Sequence, residues 1–282
     1  MSEFIVGQAI HVAGQEIPVR RVLAPNAGPM TGAGTNSYLL GKHRFAMIDP
    51  GPADAGHVAR LLEVLGSGKL DWILVTHTHG DHSPAASMLR ERTGAALIGL
   101  APPKAEHNDA TFTPDRHFRH GEVLDCGEFR LELIHTPGHV SNHFCYLLQE
   151  EGILFTGDHI LEGTTSVILP PDGDMGHYMD SLHRLLDYPL QALAPGHGRI
   201  MLEPRSEIIK LIRHRQQREL KVINALARLG ETDLEALTLA VYDDVAPHLL
   251  FWARRTLLAH LLKLQRENRT AESSGGWKLL TR

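Results

Sequence analysis

Four ligand-type side chains stand within six residues in the run Thr76-His77-Thr78-His79-Gly80-Asp81-His82, and this run constrains the chain more than any other feature. It follows residues 72–75, Trp-Ile-Leu-Val, a short apolar stretch bounded by polar residues, which is the pattern of a buried strand. The histidines therefore stand in the loop that leaves a strand. His77 and His79 lie two apart, so in extended chain both point the same way. Asp81 and His82 come at the turn before Ser83 and Pro84, where they can face a second centre close by. Imidazole nitrogen and carboxylate oxygen are good zinc ligands, and a neutral imidazole binds without losing a proton. A solvated polar loop has no reason to concentrate such donors.

Three further places repeat the scheme. Thr136-Pro137-Gly138-His139 follows the apolar run 129–134, Thr156-Gly157-Asp158-His159 follows 153–155, and Ala194-Pro195-Gly196-His197-Gly198 follows 192–193. Any one of them alone reads as an ordinary turn. Together they describe small-residue loops after strands, converging on one edge of a sheet where backbone must approach closely.

The rest of the first 202 residues mixes strands and helices. Runs 17–23, 37–40 and 45–48 read as strands between glycine-rich turns such as 27–34. Residues 54–65 have helical spacing, with Val58, Leu61, Leu62 and Leu65 on one face. Ser83 as cap and Pro84 in the first turn start a helix that runs to about Arg92, and 95–100 reads as another strand. Strands at 129–134, 144–148 and 153–155 have short, antiparallel connections, and 178–186 is helical. Two packed sheets with helices outside account for this order. From Glu203 the texture is nearly all helix: 203–229 ended by Gly230, a second helix opened by a capping box of Thr232 and Glu235, and a third at 250–266. A turn at 273–276 and a short strand at 277–280 complete a winged-helix-like unit. The expected domains are residues 1–202 and 203–282.

Charge divides at the same place: 14 Lys+Arg against 23 Asp+Glu in residues 1–202, then 14 against 10 in 203–282. At 43% hydrophobic residues the chain can bury a core without disulfides, and Cys126 and Cys145 follow no metal or redox spacing. The N-terminus has neither a basic start nor a long apolar run, and nothing later reaches the ~20 apolar residues of a membrane span. A cytoplasmic protein without membrane contact is the expectation.

The run His-Thr-His-Gly-Asp-His, followed in order by His139, Asp158 and His197, resembles the signature of the metallo-β-lactamase superfamily over residues 36–198. The resemblance implies an α+β, four-layer αββα sandwich holding two divalent metal ions. His77, His79 and His139 would hold the first, Asp81, His82 and His197 the second, and Asp158 would bridge them. Zinc is favoured, with manganese or iron as alternatives, because iron members carry a glutamate where His79 stands. Antibiotic-degrading zinc members have cysteine at the position of Asp158, which argues against a true β-lactamase.

Two divalent ions, two carboxylates and a bridging hydroxide leave the centre slightly positive. Metal coordination brings water's pKa from 15.7 to about 7, so hydroxide is available at neutral pH. Residual positive charge suits an anionic substrate and a transition state gaining negative charge on oxygen. Asp81 is the candidate acceptor of the nucleophile's proton. Asn36, Ser37, His159, Thr164 and Thr165 are candidate substrate contacts. His159 is equally readable as a packed loop residue, as are His135, His143 and His177.

Gly157-Asp158-His159-Ile160-Leu161-Glu162-Gly163-Thr164-Thr165, Tyr178-Met179-Asp180-Ser181-Leu182 and His214-Arg215-Gln216-Gln217-Arg218-Glu219 resemble one branch, that of β-lactamase-like protein 2. The branch has a single-stranded RNA endonuclease among its members, so RNA is an expected substrate. Ser83-Pro84-Ala85, where many relatives have paired glycines, and the insertion 170–176 depart from the branch. Arg213, Arg215, Arg218, Arg254, Arg255, Lys263 and Arg266 are candidate phosphate contacts, while Tyr242, Phe251, Trp252 and Trp277 fit core positions as well as stacking ones. The alternatives are a thioester or other acyl hydrolase of the glyoxalase II type, and a nucleic-acid-binding regulator with a structural metal. Structural zinc sites are closed four-coordinate centres, which the paired ligand set does not resemble.

Overall fold

A computed structural model describes residues 4–104 and 107–280. Its contacts divide the chain into two compact units, each described by itself. The first takes the residues up to Thr136, Asn142–Ser166 and Asp187–Arg205; the second takes Pro137–Ser141, Val167–Leu186 and the residues from Ser206 on.

The first unit contains two sheets. One runs in the order β1 (Ala9–Ala13), β2 (Val19–Leu23), β3 (Asn36–Leu40), β4 (Arg44–Ile48), β5 (Lys69–Leu74) and β6 (Ala96–Ile98). Strands β1 to β4 pair antiparallel, and β4, β5 and β6 pair parallel. Parallel neighbours need crossovers, supplied by α1 (Ala55–Leu65) and α2 (Ala85–Thr93). Asp54 starts α1 by accepting from the His57 N–H at 2.6 Å. Pro84 caps α2 without a side-chain bond, and Ser83 instead donates to Asp109 Oδ2 at 2.8 Å. The expected serine cap is therefore corrected: its hydroxyl ties the histidine loop to the 108–109 segment.

The second sheet runs β11 (Ala192–Pro195), β10 (Ile153–Gly157), β9 (Phe144–Leu148), β8 (Arg130–His135), β7 (Val123–Asp125). Alternation places the core. Tyr38, Leu40, Ala46 and Ile48 join Leu131, Leu133, Tyr146 and Phe155 in one buried cluster between the sheets. The alternate residues Leu39, Met47 and Ile73 pack with Val58, Leu61 and Leu89 of the helices on the other face. Both cysteines are buried, and burial first of all pushes each thiol up to about 12, so neither is a nucleophile at neutral pH.

The second unit contains α3 (Met175–Leu185), α4 (Pro204–Leu229), α5 (Leu234–Val241), α6 (Leu250–Arg266) and a hairpin of β12 (Thr270–Ser273) and β13 (Gly276–Leu279). Its core gathers Val222, Leu226, Leu237, Val241, Leu257, Leu261 and Trp277. Asp233, not Thr232, caps α5, accepting from the Ala236 N–H at 2.8 Å. The Thr232 backbone is already committed to Trp277, in bonds of 3.0 and 2.8 Å.

Burial holds the His260 imidazole of α6 down at about 4, against the pull of Glu219. The unfolded chain takes up that proton near 6.5, so the stability from neutral His260 is complete above pH 6.5 and is lost as pH falls towards 4. The difference amounts to about 3 kcal/mol. His260→Gln should flatten this part of the stability–pH curve measured by urea unfolding. An unchanged slope would refute the assignment.

Candidate metal centre

Strand direction brings the donors together. Strand β9 is antiparallel to both β8 and β10, and β11 is parallel to β10, so β8, β10 and β11 end at one edge of their sheet. Asp158 follows β10 and His197 follows β11. The loop after β5 is bound to the same edge, with the Phe144 N–H donating to Thr76 O at 2.8 Å and Asn142 Nδ2 to Thr78 Oγ1 at 2.8 Å. A Cβ on Gly157 would stand 2.4 Å from Thr76 Oγ1, and one on Gly196 would stand 2.7 Å from His82 Cε1 and 2.9 Å from Asp158 Oδ1. Glycine is required at both places by close approach.

Four donor atoms converge there. His82 Nε2 lies 3.4 Å from Asp81 Oδ2 and 3.4 Å from Asp158 Oδ1. His197 Nε2 lies 3.2 Å and 3.4 Å from the same two oxygens. Two sets, Asp81–His82–His197 and His77–His82–Asp158, have ligand atoms within 4.8 Å of one another. His77 Nε2 and His79 Nδ1 are 2.9 Å apart. Burial alone would depress His82, yet Asp81, Asp158 and Asp49 hold it well above its ordinary value. His197 is raised against burial by Asp158 and Asp81, and the Asp81 carboxyl, which burial would raise, is held far below its usual range by His82 and His197. The arrangement favours positive charge between these groups.

Three of the imidazoles are turned by a second bond. Asp49, 2% exposed and at φ 50°, accepts from the Thr76 N–H and Oγ1, both at 2.7 Å, and from His82 Nδ1 at 2.9 Å. His197 Nδ1 donates to Gly34 O at 3.1 Å. In the turn 137–141, His139 Nδ1 donates to Val167 O at 2.7 Å. These acceptors put the proton on Nδ1 and leave Nε2 for coordination. Thr35 Oγ1 donates to Asp81 Oδ2 at 3.4 Å and accepts from Asn26 Nδ2 at 2.8 Å. The sequence reading missed Asp49 and Thr35. Asp49-Pro50-Gly51 after a strand was the available signal for the first.

Three proposed substrate contacts are corrected. Asn36 is fully buried, and its Nδ2 donates to Pro195 O and Gly198 O, both at 2.9 Å, bracing the turn that carries His197. Ser37 is buried against His57 Nε2 at 3.0 Å. His159 is fully buried, its ring 5.8 Å from that of His143. His143 in turn stacks on His77 at 5.2 Å. Thr164 is exposed and Thr165 half-buried. Asn36→Ala should cost about 1–3 kcal/mol of stability, read by thermal unfolding, without changing KM; a KM effect at unchanged stability would restore the substrate role.

Residues 30–197 match the family described as the metallo-beta-lactamase superfamily. The chain belongs to the metallo-β-lactamase superfamily. Its members are metal-dependent hydrolases, and this member is one too. Residues 234–277 match the beta-lactamase associated winged helix domain, a range that takes in α5, α6, β12 and the start of β13. Among relatives, the beta-lactamase-like protein 2 homolog of Drosophila melanogaster is 33% identical over 271 residues, covering 89% of each chain. The atrochrysone carboxyl ACP thioesterase of Passalora fulva is 32% identical, over 78% of this chain and 65% of that protein. A metallo-beta-lactamase family protein of Thermus thermophilus superposes with a TM-score of 0.75 at 22% identity, over 94% of this chain and 98% of that one. As in the wider superfamily, the donor set suits divalent metal: His82 Nε2 is buried and makes no hydrogen bond, although it faces two carboxylates. Among the described residues of this superfamily member, no helix is long and apolar enough to cross a membrane.

Proposed function

We propose that this hydrolase holds two zinc ions and cleaves phosphodiester bonds of single-stranded RNA. His77 and His79, together with His139, would hold one ion. Asp81, His82 and His197 would hold the other, with Asp158 shared. The ions would supply the lowered pKa of water and the positive charge that a phosphodiester transition state requires. Asp81 would take the nucleophile's proton; its Oδ2 accepts from Thr35. Thr164 and Thr165 are the remaining candidates for substrate contact.

The observation that carries the RNA reading is near-complete mutual coverage with the β-lactamase-like protein 2 homologue, the branch whose resemblance implied RNA. Surface chemistry supports it more narrowly than the sequence promised. Arg215 and Arg218 are buried, and Arg218 is bound to Val241 O and Asp244; Lys263 pairs with Glu219 and Arg266 with Asp174. Arg215, Arg218 and Lys263 are withdrawn as surface phosphate contacts, and Arg266, though exposed, is already paired. Arg213 and Arg254 remain exposed, with Arg255 half-buried. Tyr242 and Trp277 are buried in the core, but Phe251 is 61% exposed, with the Arg255 guanidinium 5.9 Å from its ring. An exposed aromatic beside arginines suits single-stranded nucleic acid.

The test is cleavage of a fluorescent single-stranded RNA by metal-quantified protein, lost on chelation and in His77→Ala. Arg254→Glu with Arg255→Glu should raise KM roughly tenfold or more and leave kcat nearly unchanged. A second reading, thioester hydrolysis, is favoured by the thioesterase among the relatives. Turnover of an acyl thioester panel with no RNA cleavage would replace the first reading with the second.

A further inference from the structure

The segment 170–176 and the turn that carries His139 both belong to the second unit, and the proposed hydrolysis gives the segment no task. We propose that this segment is a cradle for the metal ligand His139, with Asp172 and Asp174 as positioning residues and Arg266 of α6 as the anchor that grips Asp174. The proposal rests on the reading of His139 as a ligand of the first ion.

The cradle meets the turn on both sides of the ligand. The Asp174 N–H donates to Gly138 O at 2.8 Å, and the Ser141 N–H donates to Asp172 Oδ2 at 3.1 Å. Between these two bonds His139 Nδ1 donates to Val167 O, three residues ahead of the segment, at 2.7 Å. A Cβ on Gly173 would stand 3.0 Å from His139 O, and one on Gly138, at φ 147°, would stand 2.4 Å from Tyr178 Cα. The Ser181 hydroxyl of α3 donates to Pro137 O at 2.8 Å. The turn is therefore held at Pro137, Gly138, His139 and Ser141, each time by the segment, by Val167 or by α3.

Apolar burial does little to fix the segment itself. In the run Pro-Pro-Asp-Gly-Asp-Met-Gly only Met175 is a buried hydrophobic residue. The chain entropy lost in ordering it must be offset by polar contacts. Asp174 supplies most of them. Its Oδ1 accepts from the His177 N–H at 3.0 Å, which caps α3. Arg266 grips both oxygens, Nη2 donating to Oδ1 at 2.7 Å and Nη1 to Oδ2. Burial would raise this carboxyl, but Arg266 and the His177 N–H hold it down at about 2, so it is ionised at neutral pH. Exposed ion pairs add little to stability, yet a two-point grip on a carboxylate fixes geometry as well as charge. Its effect should fall on where His139 stands more than on whether the chain folds.

The test uses the full chain: zinc affinity by chelator competition, the visible absorption of cobalt-loaded protein, and urea unfolding. Asp172→Ala spares the α3 cap and the Arg266 pair. Asp174→Asn keeps a good cap but loses the charge that Arg266 grips, and Arg266→Ala removes the anchor. Each should weaken the binding of one ion about tenfold and alter the cobalt spectrum, with the unfolding midpoint nearly unchanged. Arg266→Lys should recover only part of the loss, because it cannot form the fork. His139→Ala is the reference and should weaken that ion more than any of them. Weakened binding in His139→Ala, with parental affinity and spectrum in the other variants, would overturn the cradle alone. Parental binding in His139→Ala would overturn the ligand assignment and the cradle with it. Affinity that falls only in step with the unfolding midpoint, at an unchanged cobalt spectrum, would reduce the segment to a structural role and overturn the proposal.

Discussion

Asp158→Ala is expected to lower hydrolysis by roughly 10³-fold or more and to leave fewer than two metal ions per chain. Asp158 Oδ1 stands 3.4 Å from both His82 Nε2 and His197 Nε2, so the substitution removes one of the two carboxylates that face those nitrogens. The residue lies at the end of β10, whose packing owes little to that side chain, so the fold should survive. Elemental analysis after dialysis, with activity on the same sample, reads both consequences. Two ions per chain with activity within tenfold of the parent would remove Asp158 from the shared position.

Asp49→Ala should damage the protein differently, in stability as well as in affinity. One buried carboxylate accepts from the Thr76 N–H, the Thr76 hydroxyl and His82 Nδ1. Alanine strands all three, at about 1–3 kcal/mol for each buried group left unsatisfied. It also frees the His82 ring to turn. Loss of such an orienting partner typically costs 10–100-fold in metal affinity, which competition with a chelator measures. Asp49→Asn, with nearly the same shape, should keep part of the stability and less of the affinity. Unchanged affinity in both variants would show that His82 is oriented by packing alone.

The ligand loops were legible in the sequence because their pattern is local: an apolar strand, then small residues, then His or Asp. Helices α1 and α6 were equally plain from their spacing. What failed depends on partners far along the chain. Strand β7 has three residues, of which only Leu124 is buried, and β1 is a half-buried edge strand, so neither shows clear alternation. The Arg218–Asp244, Lys263–Glu219 and Arg266–Asp174 pairs join residues 26, 44 and 92 positions apart. No inspection of a helix surface would have shown those cations already paired. Asn36 was misread for a similar reason: a polar residue beside a turn suggested substrate, and its acceptors lie in the distant turn around His197. Asp49 was missed because an orienting carboxylate carries no motif of its own beyond a turn.

The hydrogen bonds that turn His82 and His197 have a consequence for assembly. A buried carboxylate and a backbone carbonyl fix the orientation of the two rings during folding itself, so this part of the site is wired before its cargo arrives. Loading should then behave as simple capture by a rigid receptor, leaving the circular dichroism of the empty and filled protein nearly superimposable, unlike a finger domain that collapses only around its ion.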